Sequence, residues 1–183
     1  MIRTHDVILV NEQDEVVGSM EKMEAHRKAL LHRAFSVFIF NAKGEMLLQQ
    51  RARTKYHSAG LWTNACCSHP IPEEEISAAA MRRLNEELGF TTDLEKTFDF
   101  IYRAEFENGL TEYEFDHVFV GTFNGIIHPD PNEVSDYCFK SVEEIANSLE
   151  SHPSKYTNWF RLAFPKVISW MEEHKKTPQP ATV

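Results

Sequence analysis

The chain has 183 residues, 42% of them hydrophobic and 26% charged, which is ordinary for one globular domain with a core of its own. Its formal net charge of −9 at pH 7 argues against nonspecific binding to nucleic acid or to an anionic membrane surface. The longest strongly apolar stretch, residues 34–40, is far too short to cross a bilayer, so we expect no membrane insertion.

The cysteines and the N-terminus predict a cytoplasmic protein. Cys66 and Cys67 are adjacent and Cys138 is distant, which is not the pattern of a disulfide framework. Residues 1–6 lack an apolar core of signal-peptide length. We therefore expect a reducing compartment and at least one functional thiol.

Strand and turn signals dominate the first third of the chain. The predicted elements are, in order, a strand over 6–10, a turn over 11–15, a second strand starting at 16–17, a mixed polar segment over 21–31, a strand over 33–40, a tight turn over 41–44 and a strand over 45–51. We expect the last two strands to form a hairpin.

The clearest helix is predicted over residues 73–88. Three glutamates at 73–75 would lie in its first turn, where the helix dipole favours negative charge. Gly89 is a good C-terminal stop, and apolar residues repeat every four positions along one face. The predicted buried stripe consists of Ile76, Ala80, Leu84 and Leu88.

Strands and helices follow one another irregularly in the second half. The predicted elements are strands near 97–103 and 113–123, a turn-rich loop through Pro129 and Pro131, a helix from a capping box of Ser141 and Glu144 to about Leu149, and a helix over 157–174. Without regular βαβ alternation, we expect one α+β domain over 1–175 with a mixed sheet between helices. We expect residues 176–183 to be a disordered tail.

Several side chains are of types that bind metal ions. Three imidazoles with two carboxylates at a spacing of two on one strand face would suit a divalent transition metal. Each residue alone is weak evidence, because a single histidine is more often a surface or core residue and a glutamate pair is more often a solvated strand face. The candidate ligands are His26, His32, His69, Glu112 and Glu114.

The predicted helix carries Arg82–Glu86 and Arg83–Glu87 at a spacing of four, which alone would indicate exposed ion pairs worth about 0.3–0.5 kcal/mol each. The 23 residues from Ser68 to Phe90, however, resemble a Nudix box, in which a loop and a helix hold Mg²⁺ against a diphosphate. Two positions depart from that signature. Ser68 replaces its leading glycine, and Arg83 replaces a metal-binding glutamate with a cation that suits phosphate oxygens.

A more specific resemblance covers nearly the whole chain, from about residue 4 to residue 170. The sequence resembles type I isopentenyl-diphosphate isomerases, and its Thr-Asn-x-x-Cys-x-His-Pro element is highly specific to them. The matching segments are residues 21–26, 31–36, 62–70, 112–114 and 156–159. The resemblance implies a Nudix-like α/β/α sandwich and interconversion of isopentenyl and dimethylallyl diphosphate.

The resemblance also implies the catalytic residues. It places the thiol acid/base on Cys67 and the carboxyl acid/base on Glu114, with Tyr102 hydrogen-bonded to Glu114 and Trp159 as an aromatic wall over the hydrocarbon. Neighbouring side chains of an extended segment point to opposite sides, so only one of Cys66 and Cys67 can face the cavity. We expect this to be Cys67, made more acidic by nearby cations and metal, and expect Cys66 to be a buried apolar residue.

The ligands implied by the resemblance are two metal ions and a diphosphate. His26, His32, His69, Glu112 and Glu114 would hold one divalent ion, Zn²⁺ or Mn²⁺ or else Mg²⁺. Glu87 and a backbone oxygen of Cys67 would hold Mg²⁺ that arrives with the substrate. The expected diphosphate-binding cations are Lys22, Arg51, Lys55 and Arg83.

Two other function classes stay open from the sequence. A Nudix hydrolase of a nucleoside or related diphosphate would share the helix, although Arg83 argues against it. A non-catalytic, metal-stabilised interaction domain would keep the histidines but would need neither Cys67 nor the basic residues. In each enzymatic alternative the partner is a small-molecule diphosphate, and the protein is a monomer or a homodimer.

Overall fold

The computed structural model describes residues 5–175, and the predicted disordered tail, 176–183, lies outside them. A nine-stranded mixed sheet and four α-helices make up the fold. The elements are β1 Asp6–Val10, β2 Val16–Glu21, α1 Lys22–Arg27, β3 His32–Phe40, β4 Met46–Arg51, β5 Trp62–Thr63, β6 Cys66–Ser68, α2 Ile76–Leu88, β7 Leu94–Glu105, β8 Thr111–Thr122, β9 Val134–Lys140, α3 Val142–Ser151 and α4 Asn158–Lys175, with a short 3₁₀ turn at Pro153–Lys155.

The central strand, β3, pairs in parallel with β8, and every other strand pairing is antiparallel. All of β3 except Arg33 is buried, because both faces of the sheet are covered. Val37 and Ile39 pack on the face under α2, whereas Phe38 and Phe40 pack on the face under α4. The predicted α+β sandwich, with a mixed sheet between helices, is confirmed. Within residues 5–175, no helix combines the length and the hydropathy needed to cross a bilayer.

The hydrophobic stripe and the capping box are also confirmed. Ala80, Leu84 and Leu88 of α2 are fully buried. The Ser141 hydroxyl accepts a hydrogen bond from the Glu144 amide, while the Glu144 carboxylate accepts one from the Ser141 amide. The predicted strands near 97–103 and 113–123 correspond to β7 and β8. The strand β7 extends beyond its prediction at both ends, whereas β8 begins two residues earlier and ends one residue earlier than predicted.

The predicted start of the α2 helix at residue 73 is wrong by three residues. Glu73 has a φ of 70°, in the left-handed region, and Glu75 is extended, so the helix begins at Ile76. The Glu74 carboxylate instead accepts a hydrogen bond from the Ile71 amide at 3.0 Å and binds Arg82. The three glutamates therefore shape the turn before the helix and do not lie in its first turn.

The predicted hairpin of β3 and β4 exists only beside its turn, where Phe40 pairs with Met46. Beyond that point β5 pairs with β4 and β6 pairs with β3, so residues 62–68 are inserted between the two strands. We refer to residues 62–68 as the inserted segment. The remaining edge of β4 is covered by β9, a strand that the sequence analysis assigned to a turn-rich loop. Only Val134 of β9 is fully buried, which explains its weak sequence signal.

Candidate active site

The inserted segment orients the two adjacent thiols. Residues 66–68 pair with β3, and Cys67 lies opposite Ser36. Cys66 is 0% exposed and packs in the core beneath α2, whereas Cys67 faces the other side of the sheet. The predicted division of the pair, with Cys66 buried and Cys67 directed at the cavity, is therefore what the structure contains.

Two buried polar side chains hold the Cys67 sulfur. Its Sγ donates to Asn64 Oδ1 at 3.1 Å, and the Asn64 amide group donates to two backbone carbonyls, which fixes the orientation of that oxygen. Ser36 Oγ lies 3.4 Å from Sγ and donates its own proton to Asp116 Oδ2 at 2.7 Å. The sulfur therefore lies between two oxygens that act as acceptors, an arrangement that stabilises the thiol.

The protein groups alone do not make the Cys67 thiol more acidic, so the prediction that nearby cations lower its pKa is wrong. Burial raises the pKa of the Cys67 thiol well above its usual range, and the nearby Asp116 carboxyl raises it further. The contacts of the sulfur with Ser36 and Asn64 do not offset this increase. The protein on its own thus keeps this cysteine protonated at neutral pH.

Four predicted metal ligands converge on one point. The ligand atoms of His26, His32, His69 and Glu114 all lie within 4.8 Å of one another. The Nε2 atoms of His26 and His32 are 3.2 Å apart, and Glu114 Oε1 lies 3.0 Å from His69 Nε2 and 3.5 Å from His32 Nε2. Each group comes from a different element: α1, the start of β3, the residue after β6, and β8.

The protonation of these imidazoles suits metal binding. His32 Nδ1 lies 2.8 Å from the Leu30 carbonyl, so Nδ1 is the protonated nitrogen and Nε2 presents a lone pair. Burial lowers the pKa of His26 to about 2 and that of His69 to about 4, so both rings are neutral at pH 7. Three imidazoles and one carboxylate fit a divalent ion of borderline softness.

Glu112, the fifth predicted ligand, lies outside this group of four. Its carboxylate is 3.2 Å from His57 Nε2 and accepts a hydrogen bond from Tyr102 at 3.2 Å. Tyr102 donates a shorter hydrogen bond to Glu114, at 2.6 Å, as expected from the sequence.

The two carboxyls have opposite pKa shifts, although burial raises the pKa of each. At Glu112, burial and the charge of Glu114 hold the pKa well above its usual range. At Glu114 the imidazoles of His69 and His32 outweigh burial and hold the pKa well below its usual range.

Cys67, Glu114 and Trp159 line one cavity of about 40 Å³, the catalytic cavity. Its volume has room for only a few water molecules, at about 10–15 Å³ each. The Arg51 guanidinium lies over the Trp159 ring, 5.2 Å from its centroid. The other lining residues are Lys22, Tyr56, His57, Ser68, His69, Tyr102 and Glu112.

A larger, basic cavity of about 300 Å³ adjoins the catalytic cavity, and Lys22, Ser68 and His69 line both. Lys55 and Arg83, two further predicted diphosphate ligands, line this basic cavity. Its remaining lining residues are His5, Asp6, Val7, Ile71, Arg82 and Glu133. Arg51, the fourth predicted cation, lines the catalytic cavity and not the basic one.

Acidic residues hold the basic side chains in place. Arg83 contacts Glu87 at 2.8 Å and Glu133 at 3.4 Å, and Lys55 is also paired with Glu133. Glu87 is buried and accepts a second hydrogen bond, from Gln49 at 2.8 Å. The predicted magnesium ligand Glu87 is thus held by Arg83 of α2 and Gln49 of β4, and it lines neither of the two cavities.

Comparison with known proteins identifies the family. A model described as NUDIX domain matches residues 30–160. The chain is 46% identical over 170 residues to Isopentenyl-diphosphate Delta-isomerase of Pectobacterium atrosepticum, with 93% of this chain and 95% of that protein covered. The chain belongs to the isopentenyl-diphosphate Delta-isomerase family within the Nudix domain proteins. Isopentenyl-diphosphate Delta-isomerase 1 of Aromatoleum aromaticum is 47% identical, with 92% and 96% covered.

Solved structures share the Nudix fold with this isomerase-family chain. A protein from Deinococcus radiodurans superposes with a TM-score of 0.74 at 19% identity, covering 88% of this chain and 98% of that one. A MutT protein from Methanosarcina mazei superposes with a TM-score of 0.63 at 23% identity, covering 80% and 96%. At these identities the likeness concerns the fold alone.

Five polar residues of the site in this isomerase-family chain were not predicted from the sequence. Asp116 had a detectable signal, because it continues the period-two face of Glu112 and Glu114 on β8. Asn64 lies within the Thr-Asn-x-x-Cys-x-His-Pro element. The roles of the other three depend on contacts that no spacing reveals. They are Ser36, His57 and Glu133.

Proposed function

We propose that this protein interconverts isopentenyl diphosphate and dimethylallyl diphosphate. The observation that carries the proposal is the catalytic cavity, in which a thiol, a carboxylate and an aromatic ring line one small space beside a basic cavity. Relatives named Isopentenyl-diphosphate Delta-isomerase, at 46–47% identity over most of the chain, support the same activity.

The reaction requires two proton-transferring groups on one carbon skeleton. The alkene of isopentenyl diphosphate is unactivated, so protonation of its terminal carbon must come first and gives a tertiary carbocation. The neighbouring C–H then becomes acidic enough to be removed by a base. Glu114, hydrogen-bonded by Tyr102, and Cys67, held by Asn64 and Ser36, are the two groups that we assign to these steps.

Trp159 and the enclosure of the cavity protect the carbocation. Trp159 is 3% exposed and its indole nitrogen has no hydrogen-bond partner among the described residues. Its ring face can stabilise a cation by about 2 kcal/mol or more where water is excluded. Exclusion of water also prevents capture of the cation as an alcohol. Because the cavity measures about 40 Å³, binding of a five-carbon chain requires its walls to move apart.

The basic cavity suits the diphosphate. Lys22, Lys55 and Arg83 line it, and Arg83 occupies the position where the Nudix signature has a glutamate. A guanidinium there binds phosphate oxygens and removes a carboxylate that a hydrolase needs for its metal cluster. This substitution favours an enzyme that holds a diphosphate without cleaving it.

Two divalent ions complete the proposal. His26, His32, His69 and Glu114, with Glu112 beside them, would hold Zn²⁺ or Mn²⁺, or else Mg²⁺. Glu87 and the backbone oxygen of Cys67 would hold the Mg²⁺ of the substrate complex. The chemistry that such ions supply is positive charge beside Glu114 and beside the diphosphate oxygens.

NMR of the purified protein with isopentenyl diphosphate and Mg²⁺ in D₂O tests this function. We expect dimethylallyl diphosphate to form, with deuterium in its methyl carbon and at C2, and no phosphate to be released. A Cys67→Ala protein provides the matched inactive control. Release of orthophosphate or pyrophosphate as the main product would instead establish the hydrolase.

A further inference from the structure

His57 is a buried imidazole of the catalytic cavity to which the mechanism above gives no role. It lies in the loop between β4 and β5 and is 8% exposed. Its ring stacks on Phe106, with centroids 4.6 Å apart, and meets Tyr56 and Trp159 edge to face at 4.5 and 5.9 Å. Nε2 lies 3.2 Å from Glu112 Oε1. This contact restrains rotation of the ring within its plane, and the aromatic neighbours restrain its movement in other directions.

The ring separates two spaces. On one side is the catalytic cavity of about 40 Å³, and on the other is an outer groove of about 410 Å³. Among the described residues, His57 is the one that lines both. The rest of the groove is formed by Ser58, Leu61, Phe106, Glu107, Asn108 and Asn158.

The shared lining residues give the three spaces an order. The basic cavity adjoins the catalytic cavity through Lys22, Ser68 and His69, whereas within residues 5–175 the outer groove adjoins it through His57 alone. A diphosphate in the basic cavity directs the attached hydrocarbon into the catalytic cavity. His57 then stands beyond the hydrocarbon, between it and the groove.

We propose that His57 is a specificity-determining residue that ends the hydrocarbon site and excludes substrates with a larger branch than the methyl group of isopentenyl diphosphate. This inference rests on the proposed isomerase function. An additional methylene would require a further displacement of the His57 ring, which is packed between Phe106, Tyr56 and Trp159 and would lose those contacts. One extra methylene in such a pocket changes discrimination by about 10-fold or more.

The test compares isopentenyl diphosphate with 3-ethylbut-3-enyl diphosphate, in which an ethyl group replaces the methyl group. In His57→Ala the imidazole is lost and the catalytic cavity opens into the groove. We expect the ratio of kcat/KM for the ethyl substrate to kcat/KM for the methyl substrate to rise about 10-fold or more. His57→Ser should give the same increase, and it replaces the alanine variant if that protein does not fold.

Two control variants separate the size of the ring from its other roles. His57→Phe keeps the ring volume and loses the contact with Glu112, so its selectivity should stay near that of the unaltered protein. Leu61→Ala enlarges only the outer groove and should leave the ratio unchanged. The expected pattern is a shift in the alanine and serine variants and none in the other two.

Two results would overturn the assignment of His57. One is a selectivity ratio in the alanine and serine variants that equals that of the unaltered protein. The other is an equal shift in His57→Phe, which would assign the effect to the lost hydrogen bond. Either result would leave the isomerase function intact, whereas failure of the unaltered protein to isomerise isopentenyl diphosphate would refute that function itself.

Discussion

Replacing each of the two adjacent cysteines by alanine should affect stability and catalysis in opposite ways. Cys66 is 0% exposed within the core under α2. Loss of its sulfur leaves a space about the size of a methyl group, which costs about 1 kcal/mol of unfolding free energy. For a chain of this length the melting temperature should fall by about 2–4 °C, while kcat stays near its original value.

Cys67→Ala should abolish isomerisation and leave stability almost unchanged. A missing acid or base lowers kcat by about 10²–10⁴-fold, which corresponds to about 3–5 kcal/mol of barrier. The hydrogen-bond partners of the sulfur are not left bare by the change. Asn64 Oδ1 keeps a hydrogen bond from Thr63 at 2.9 Å, and Ser36 keeps its bond to Asp116. The loss in unfolding free energy should therefore stay below about 1 kcal/mol.

The two variants are measured side by side by NMR turnover of isopentenyl diphosphate and by thermal unfolding. Metal content provides a further comparison, because neither thiol belongs to the group of His26, His32, His69 and Glu114. A Cys66→Ala protein that is inactive, beside a Cys67→Ala protein that turns over normally, would refute the mechanistic assignment while leaving the fold untouched.

Three further predictions follow from the site. His69→Ala should lose the bound divalent ion, measured by metal analysis after purification without chelator, and should melt at a lower temperature; full activity without metal would contradict the assignment. Ser36→Ala should lower kcat by about 10-fold or more with little change in KM, because the Cys67 sulfur loses one of its two hydrogen-bond partners; an unchanged kcat would show that Asn64 alone positions the sulfur. Iodoacetamide in chelator-treated protein should label Cys138 before Cys67, because burial raises the pKa of both thiols but raises that of Cys67 further and leaves less thiolate there; mass spectrometry that finds Cys67 labelled first would contradict this order.

Elements with strong local signals could be predicted from the sequence. The four-residue repeat of α2 and the capping box of α3 depend on neighbours within one helix, so both were confirmed. The start of α2 could not be predicted, because the left-handed φ of Glu73 belongs to the turn before the helix and no local sequence pattern signals it. The strand β9 was missed since most of its side chains are exposed and show no clear alternation.

The same distinction applies to the candidate site. The resemblance predicted Cys67 and the four converging ligands, which the fold brings together from separate elements. Apart from Tyr102, the resemblance did not identify the side chains that hold them in place. Ser36 contacts Cys67 only because residues 66–68 lie against β3 in one register, and His57 reaches Glu112 only because its loop packs against Phe106.

The length of the inserted segment determines which of its two cysteines faces the cavity. Side chains of an extended strand alternate between the two faces of the sheet, so one residue added after Asn64 would move Cys66 into the position that Cys67 occupies. Because both residues are cysteines, such a slip would still bring a sulfur atom to the cavity. With two adjacent cysteines, a thiol therefore still faces the cavity after a one-residue insertion, whereas His69 and the Cys66 carbonyl that accepts a hydrogen bond from Asn64 would be displaced.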